Sequence, residues 1–195
     1  MRKILSESRQ LLNKKVLILG KNSTLSKFIY KKINKERFNV LRIGKTDLNF
    51  LKKNYKKNLK KILKIFKPDI IINCIGKFSL NKNSNMNLFQ INLLPTWEII
   101  NFYMKNKTNI KVRILIIGSS SYSSPRKKYM LYASSKSALN SLVNSAIEYF
   151  DKSKIHLKII NPKTFGGKHL GKFKKKVTED INKVVKLVDK YISKS

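Results

Sequence analysis

Five short runs rich in Ile, Val and Leu, at 15–19, 38–43, 69–75, 112–117 and 155–160, punctuate the chain, and the stretches between them carry apolar residues at helical spacing. This alternation limits the fold more than any other feature. Apolar runs of strand length without polar alternation fit strands covered on both faces, and parallel strands need a crossover that a helix supplies. The first run ends at Gly20; Asn22, Ser23 and Thr24 then offer an N-cap, and Leu25, Phe28, Ile29 and Ile33 mark one face of a helix. Leu51, Leu59, Ile62, Leu63 and Phe66 do the same for a lysine-rich helix over 49–67. Further helices are expected over 86–103, where Pro95 requires a kink or a new first turn, over 129–150 and over 177–192. The order predicts an α/β chain, a doubly wound parallel sheet in a three-layer αβα arrangement.

The 195 residues suit one domain, with 1–14 as a helical N-terminal extension and 15–195 as the folded unit. No apolar run reaches the roughly 18–20 residues that a membrane span needs. Ser6, Glu7, Ser8 and Arg9 interrupt any signal-peptide core. Cys74 is the single cysteine and forms no internal disulfide, so a reducing, cytoplasmic setting is expected. The net charge of +34 would ordinarily suggest a nucleic-acid or membrane-surface partner. Here lysines are spread along the chain among abundant Asn and Ile, the signature of AT-rich coding, and no nucleic-acid motif accompanies them. Neither nucleic acid nor membrane is expected as a partner; a selected polyanion surface is the lesser alternative.

In such sheets ligands bind beyond the carboxyl ends of the strands. Gly20 opens a helix whose N–H groups and dipole suit a pyrophosphate, although one glycine before a helix is most often only a turn. Tyr132-Ala133-Ser134-Ser135-Lys136 is more informative. Tyr and Lys four apart share a helix face, and an ammonium beside a phenol lowers its pKa toward the range useful for proton transfer. Alone, this spacing is more often a surface helix bearing a lysine. Ser119, thirteen residues before Tyr132 at the end of a strand, changes the odds, because a strand-end hydroxyl and a helix-borne phenol can converge on one carbonyl oxygen.

With these residues in place, the chain resembles the short-chain dehydrogenase/reductase family, from Lys15 to about Ile192. Ile117-Gly118-Ser119 with Tyr132 and Lys136 matches the family's catalytic serine, tyrosine and lysine in order and spacing. Asn73-Cys74-Ile75-Gly76 stands where the family has Asn-Asn-Ala-Gly, Asn92 matches its helix asparagine, and Asn161-Pro162 stands near its Pro-Gly turn. The resemblance implies a Rossmann-type NAD(P)-binding domain. Tyr132 would be the acid/base. Lys136 would hold the cofactor ribose and depress the phenol's pKa, Ser119 would polarise the carbonyl, and Asn92 would organise a helix distortion. Ser120 and Ser121 are neighbours of the best-placed Ser119.

Around the cofactor the resemblance places Gly20, Asn22, Ser23, Thr24, Leu25, Arg42, Asp47, Leu48, Asn73, Cys74, Ile75, Gly76 and Pro162, with Tyr132 and Lys136. The sequence also departs from the family. Its later glycines fall at Thr24 and Ser26 in one spacing and at Ser23 and Ser26 in another, and Lys163 replaces a glycine. Both changes bear on cofactor affinity. Arg42, Lys45 and Lys21 supply cations where NAD-specific relatives carry an acid, which favours NADP(H) over NAD(H). Asp47 fits an adenine-edge role. The resemblance further implies a small carbonyl or alcohol substrate and a homodimer or homotetramer, with Trp97, Leu139, Leu142 and Val143 on the pairing helices. The short 163–170 segment, in which His169 reads as an exposed loop residue, and the expected lack of a separate substrate domain argue against a full nucleotide-sugar epimerase or dehydratase architecture, and the family's usual final strand is not expected after the last helix. The alternative is a non-catalytic relative that binds a nucleotide or a protein partner.

Overall fold

The computed structural model describes residues 14–33, 37–106, 111–124, 126–163 and 181–193. Residues 1–13 of the extension expected over 1–14, the 164–170 segment with His169 and the start of the last helix lie outside them. Five parallel strands, β1 (Lys14–Leu19), β2 (Phe38–Ile43), β3 (Ile70–Asn73), β4 (Val112–Ile117) and β5 (Ile155–Ile160), form one sheet in the order β2-β1-β3-β4-β5. Lys14, assigned to the extension, is the first residue of β1 and pairs with Phe38. The order reverses between β1 and β3, which puts the crevice for a ligand beyond the ends of these two strands.

The helices are α1 (Thr24–Lys32), α2 (Tyr55–Phe66), α3 (Asn87–Asn92), α4 (Leu94–Lys105), α5 (Met130–Tyr149) and α6 (Ile181–Ser193). Strand side chains alternate between two cores, as the two-residue period requires. Leu17, Leu19, Ile71, Ile114 and Ile116 face α2, α4 and α5, while Val16, Ile18, Ile70, Ile72 and Leu115 face α1 and α6. The result is the Rossmann-type three-layer αβα sandwich that the alternation implies. Each strand residue withdrawn wholly from water contributes roughly 1.5–3 kcal/mol of transfer free energy.

Three boundaries differ from the periodicity. Residues 49–54 form turns, with the Asn49 side chain accepting from the Leu51 N–H, so α2 starts at Tyr55. β3 stops at Asn73 because the Asn73 Oδ1 takes the Ile75 N–H at 3.0 Å, bending the chain out of the ladder. The helix expected over 86–103 divides at Leu93, where φ is −112° and ψ −54°. Pro95 explains the division: it has no N–H to continue the ladder, and it sits in the first turn of α4, where none is needed.

The expected surplus of apolar surface on the pairing helices is smaller than the sequence suggests. Leu139 and Val143 lie inside this chain's own core, while Trp97 remains 38% exposed. Glu98 on α4 is buried, and Lys56 and Lys60 of α2 reach it at 3.1 and 3.7 Å. On the opposite layer, α6 is clasped to the sheet by Tyr191. Its hydroxyl lies 2.6 Å from the His156 carbonyl and 3.2 Å from the Ile114 carbonyl, with Arg113 over its ring.

Candidate active site

At the end of β4, Gly118 and Ser119 carry the chain toward α5. Asn161, just past β5, holds this exit: its Oδ1 accepts the Ser119 N–H at 3.0 Å, and its Nδ2 donates to Asn140 on α5. A Cβ at Gly118 would collide with that carboxamide, so glycine is required there for packing. The Pro162 carbonyl accepts from the Ser120 N–H. Pro162 thereby tethers the serine loop. Ser119 adopts extended backbone; its hydroxyl accepts the Ser121 N–H at 3.2 Å and stands beside the Tyr132 phenol, whose pKa it lowers.

α5 presents Tyr132 and Lys136 one turn apart. Lys136 is 3% exposed, with its Nζ 3.4 Å from the Ile117 carbonyl and, among the described residues, no carboxylate partner. Burial pulls its pKa down to about 8, against a weaker opposing pull from Cys74. Burial likewise pushes the Cys74 thiol up to about 12. Tyr132 departs from the expectation of a depressed phenol. Burial is its largest influence and raises its pKa above 10, opposed by the Ser119 hydroxyl and reinforced by Tyr129. The i, i+4 spacing puts the two residues one turn apart, but Lys136 is not among the influences on the phenol, and desolvation prevails.

Asn92 is buried where α3 ends. Its Oδ1 accepts the Lys77 N–H at 2.7 Å, and its Nδ2 lies 3.1 Å from the Lys77 carbonyl and 2.9 Å from the Ser135 hydroxyl. Ser135 in turn donates to the Tyr132 carbonyl at 2.7 Å. Asn92 therefore links the helix break, the loop after β3 and the helix carrying Tyr132 and Lys136. Asn73 acts elsewhere, since beyond its turn with Ile75 its Nδ2 donates to the buried Thr96 hydroxyl. Gly76 completes the loop; a Cβ there would lie 3.3 Å from Lys136 Nζ.

The glycine turn lies at the neighbouring strand end. Gly20 has φ +85°, and an added Cβ would stand 2.8 Å from the Cys74 carbonyl group. Both the backbone angle and the close approach of two strands demand glycine. Ser23 caps α1, accepting from the Ser26 N–H at 3.1 Å. Ser26, at a position where glycine is usual, is fully buried, with its hydroxyl unpartnered among the described residues. Leu25 and Leu48 turn their side chains into the two cores, whereas Asn22 stays exposed.

Two of the three cations expected for a 2′-phosphate, Arg42 and Lys21, have internal partners. Arg42 donates to the Lys21 carbonyl at 2.7 Å and lies over the Tyr30 ring. Lys21 pairs with Asp47 at 2.6 Å, and Asp47 also accepts the Gly44 N–H at 2.8 Å, which closes the turn after β2. These hydrogen bonds from Lys21 and Gly44 hold the Asp47 carboxyl below its ordinary pKa. Sequence reasoning did not single out Ser135 or Asn161 for the site. Their partners are distant in the chain, and no spacing rule announces them. Among the described residues, no group of His, Cys, Asp and Glu could hold a metal ion, and no helix is long and apolar enough to cross a membrane.

Comparison with known proteins agrees with this geometry. The family profile described as short chain dehydrogenase matches residues 8–178, and the chain belongs to that family of oxidoreductases. A comparison with curated protein sequences gives no match. Among solved structures, a short-chain type dehydrogenase/reductase from Mycobacterium ulcerans superposes with a TM-score of 0.75 at 11% identity, covering 92% of this chain and 82% of that one. The aldohexose dehydrogenase of Thermoplasma acidophilum gives 0.70 at 18% identity, covering 89% and 77%. A dTDP-4-dehydrorhamnose reductase from Bacillus anthracis, in complex with NADP, gives 0.64 at 14% identity, covering 93% and 71%. At these identities the likeness is one of fold.

Proposed function

We propose that this chain is an NAD(P)(H)-dependent oxidoreductase that interconverts a small carbonyl compound and its alcohol, with Tyr132 as the acid/base. The observation that carries the reading is the convergence of the Ser119 hydroxyl, the Tyr132 phenol and the buried Lys136 ammonium at the end of β4. The surroundings fit a nicotinamide dinucleotide. Lys136 has three donors and one long hydrogen bond, which suits a pair of ribose hydroxyls. The Thr24 and Leu25 N–H groups, at the start of α1, have no intrahelical partner and suit a pyrophosphate. The complex of the Bacillus anthracis reductase with NADP supports the same class of cofactor.

The cofactor supplies or accepts the hydride when bound; the remaining work belongs to this chain. Ser119 hydrogen-bonds the substrate oxygen and polarises it. Burial keeps Tyr132 protonated at neutral pH, ready to donate a proton to an oxygen that is gaining negative charge. The reverse reaction needs the phenolate, which burial opposes, so alcohol oxidation is expected to quicken as pH rises. Lys136 orients the ribose and stabilises the phenolate left after proton transfer. Asn92 keeps Lys136's helix and the loop after β3 in register through Ser135 and Lys77.

NADP(H) is favoured over NAD(H), since Arg42, Lys45 and Lys21 surround the end of β2. Outer helical faces, including Trp97, suit a homodimer or homotetramer. The test is Tyr132→Phe, which removes one oxygen at nearly constant volume. NADPH affinity by fluorescence titration is expected to stay within about twofold, while turnover of an accepted aldehyde, ketone or keto-sugar falls by roughly 10² or more. Wild-type turnover in the variant would refute the mechanism. Failure of the wild-type chain to bind NADPH would favour the non-catalytic reading, to which the missing glycines at Thr24 and Ser26 belong.

A further inference from the structure

One side chain ties the loop after β3 to the start of α5. Asn81 lies in a short 3-10 turn and makes three hydrogen bonds to the backbone at the head of that helix. Its N–H donates to the Lys128 carbonyl at 3.1 Å, its Nδ2 donates to the Lys127 carbonyl at 2.8 Å, and its Oδ1 accepts the Met130 N–H at 2.7 Å. α5 lacks a cap of its own, because the side chain of its N-cap residue, Tyr129, makes no capping bond. The first N–H groups of any helix need an acceptor from outside it.

The loop that offers this cap is itself braced. The Ser79 hydroxyl donates to the Asn83 carbonyl and the Ser84 hydroxyl to the Leu80 carbonyl, each at 2.9 Å. Asn92 fixes the loop's beginning through both backbone groups of Lys77. Between these anchors stands Phe78. Its ring packs edge-on against Tyr129 and Tyr132, with centroids 5.2 and 5.1 Å away, and the two tyrosines lie 6.0 Å apart. The loop thus grips the first turn of α5 twice, through its backbone and through its aromatic rings.

We infer that Asn81 is a positioning residue for Tyr132: by capping α5 from the neighbouring loop, it holds Phe78 and Tyr129 against the phenol ring and fixes the hydroxyl beside Ser119. Its consequence for turnover rests on the proposed role of Tyr132, but the placement is measurable without a substrate. Burial is the main influence on the phenol, so a ring released toward water titrates closer to its ordinary value of 10. Lys136 lies one turn deeper, against the Ile117 carbonyl, and does not depend on this cap.

The test labels the tyrosine ζ carbons of the full chain with 13C and identifies the Tyr132 signal by its absence from Tyr132→Phe. The wild-type signal is expected to titrate above 10 and that of Asn81→Ala to move down toward 10. NADPH affinity should stay within about twofold and Tm should fall by roughly 2–4 °C, the scale of one lost cap in a chain of this size. Asn81→Asp keeps an acceptor for the Met130 N–H and adds negative charge at a helix N-terminus, so it should restore most of the wild-type titration. An unchanged Tyr132 titration in Asn81→Ala overturns the inference, as does a parallel loss of NADPH affinity, which would mean that α5 is disturbed as a whole. Should Asn81→Ala fail to fold, Phe78→Leu keeps the cap and removes the packing ring; a Tyr132 titration unmoved in that variant also overturns it. If the wild-type chain binds no NADPH, the cofactor reading fails and the titrations alone decide the role of Asn81.

Discussion

At the end of β4, polar side chains meet partners that the fold holds in place; at the ends of β1 and β2 they meet one another. Ser119 is set by Asn161, Lys136 by burial beneath the Ile117 carbonyl, and Asn92 by Lys77 and Ser135. Lys21 and Asp47, by contrast, are both partly exposed and close on each other, and Arg42 bonds the Lys21 backbone beside the Tyr30 ring. The first corner is preorganised, as the proposed proton transfer requires. The second is occupied by its own charges, and a 2′-phosphate would have to draw Lys21 away from Asp47. The proposed chemistry and the proposed cofactor choice therefore rest on different physical resources.

The largest expected effect lies where the two corners touch. Gly20→Ala would put a side chain at φ +85° and 2.8 Å from the Cys74 carbonyl group. The left-handed backbone alone costs about 1–2 kcal/mol; with the contact, the loss of stability is expected to reach roughly 3 kcal/mol by urea denaturation. A loss under about 0.5 kcal/mol would mean that the strand ends can separate, which removes the case for a rigid crevice.

A smaller effect sharpens the account of the preorganised corner. Lys136 titrates at about 8 in the fold, against 10.5 as its ordinary value. Between these values the unfolded chain holds the extra proton, so this group's contribution to stability rises with pH over that window and is least below about 8. Lys136→Met removes the buried charge. It is expected to be more stable than wild type at pH 7 by on the order of 2–3 kcal/mol, with the gap narrowing as pH approaches 10. A constant gap in denaturation curves at pH 7 and pH 9.5 would contradict a buried, mostly charged lysine at neutrality.

The smallest effect belongs to the exposed corner. The wild-type chain should prefer NADPH to NADH by about tenfold, or about 1.4 kcal/mol, and Arg42→Ala should erase most of that preference. Freeing Lys21 with Asp47→Asn should raise NADPH affinity a few-fold at low salt and less at high salt, because exposed charges are screened. Equal affinities of the wild-type chain for the two cofactors would break the comparison.

The strands were legible because their apolar runs are unbroken, and the Tyr132–Lys136 face because helical geometry fixes it. Pro95 announced its kink for the same local reason. What stayed hidden depends on contacts between distant segments. Asn161 reaches Ser119 across 42 residues, and Ser135 meets Asn92 across 43. Leu139 and Val143 read equally well as outward or inward until the sheet beneath them is known. The raised titration of Tyr132 was illegible because helical spacing reports which groups are neighbours and says nothing of how much water remains around them.

The clasp on α6 has a consequence in time. Among the described residues, one layer of the sandwich is made of α1 and α6, which lie about 150 residues apart, so the sheet face carrying Val16, Ile18, Ile70 and Ile72 is covered by α1 alone until α6 is synthesised. Synthesis at about 5–20 residues per second leaves that apolar surface waiting for roughly ten seconds or more. Tyr191, pinned to His156 and Ile114, is the closing stitch. Until it is made, part of that apolar face stays open to water.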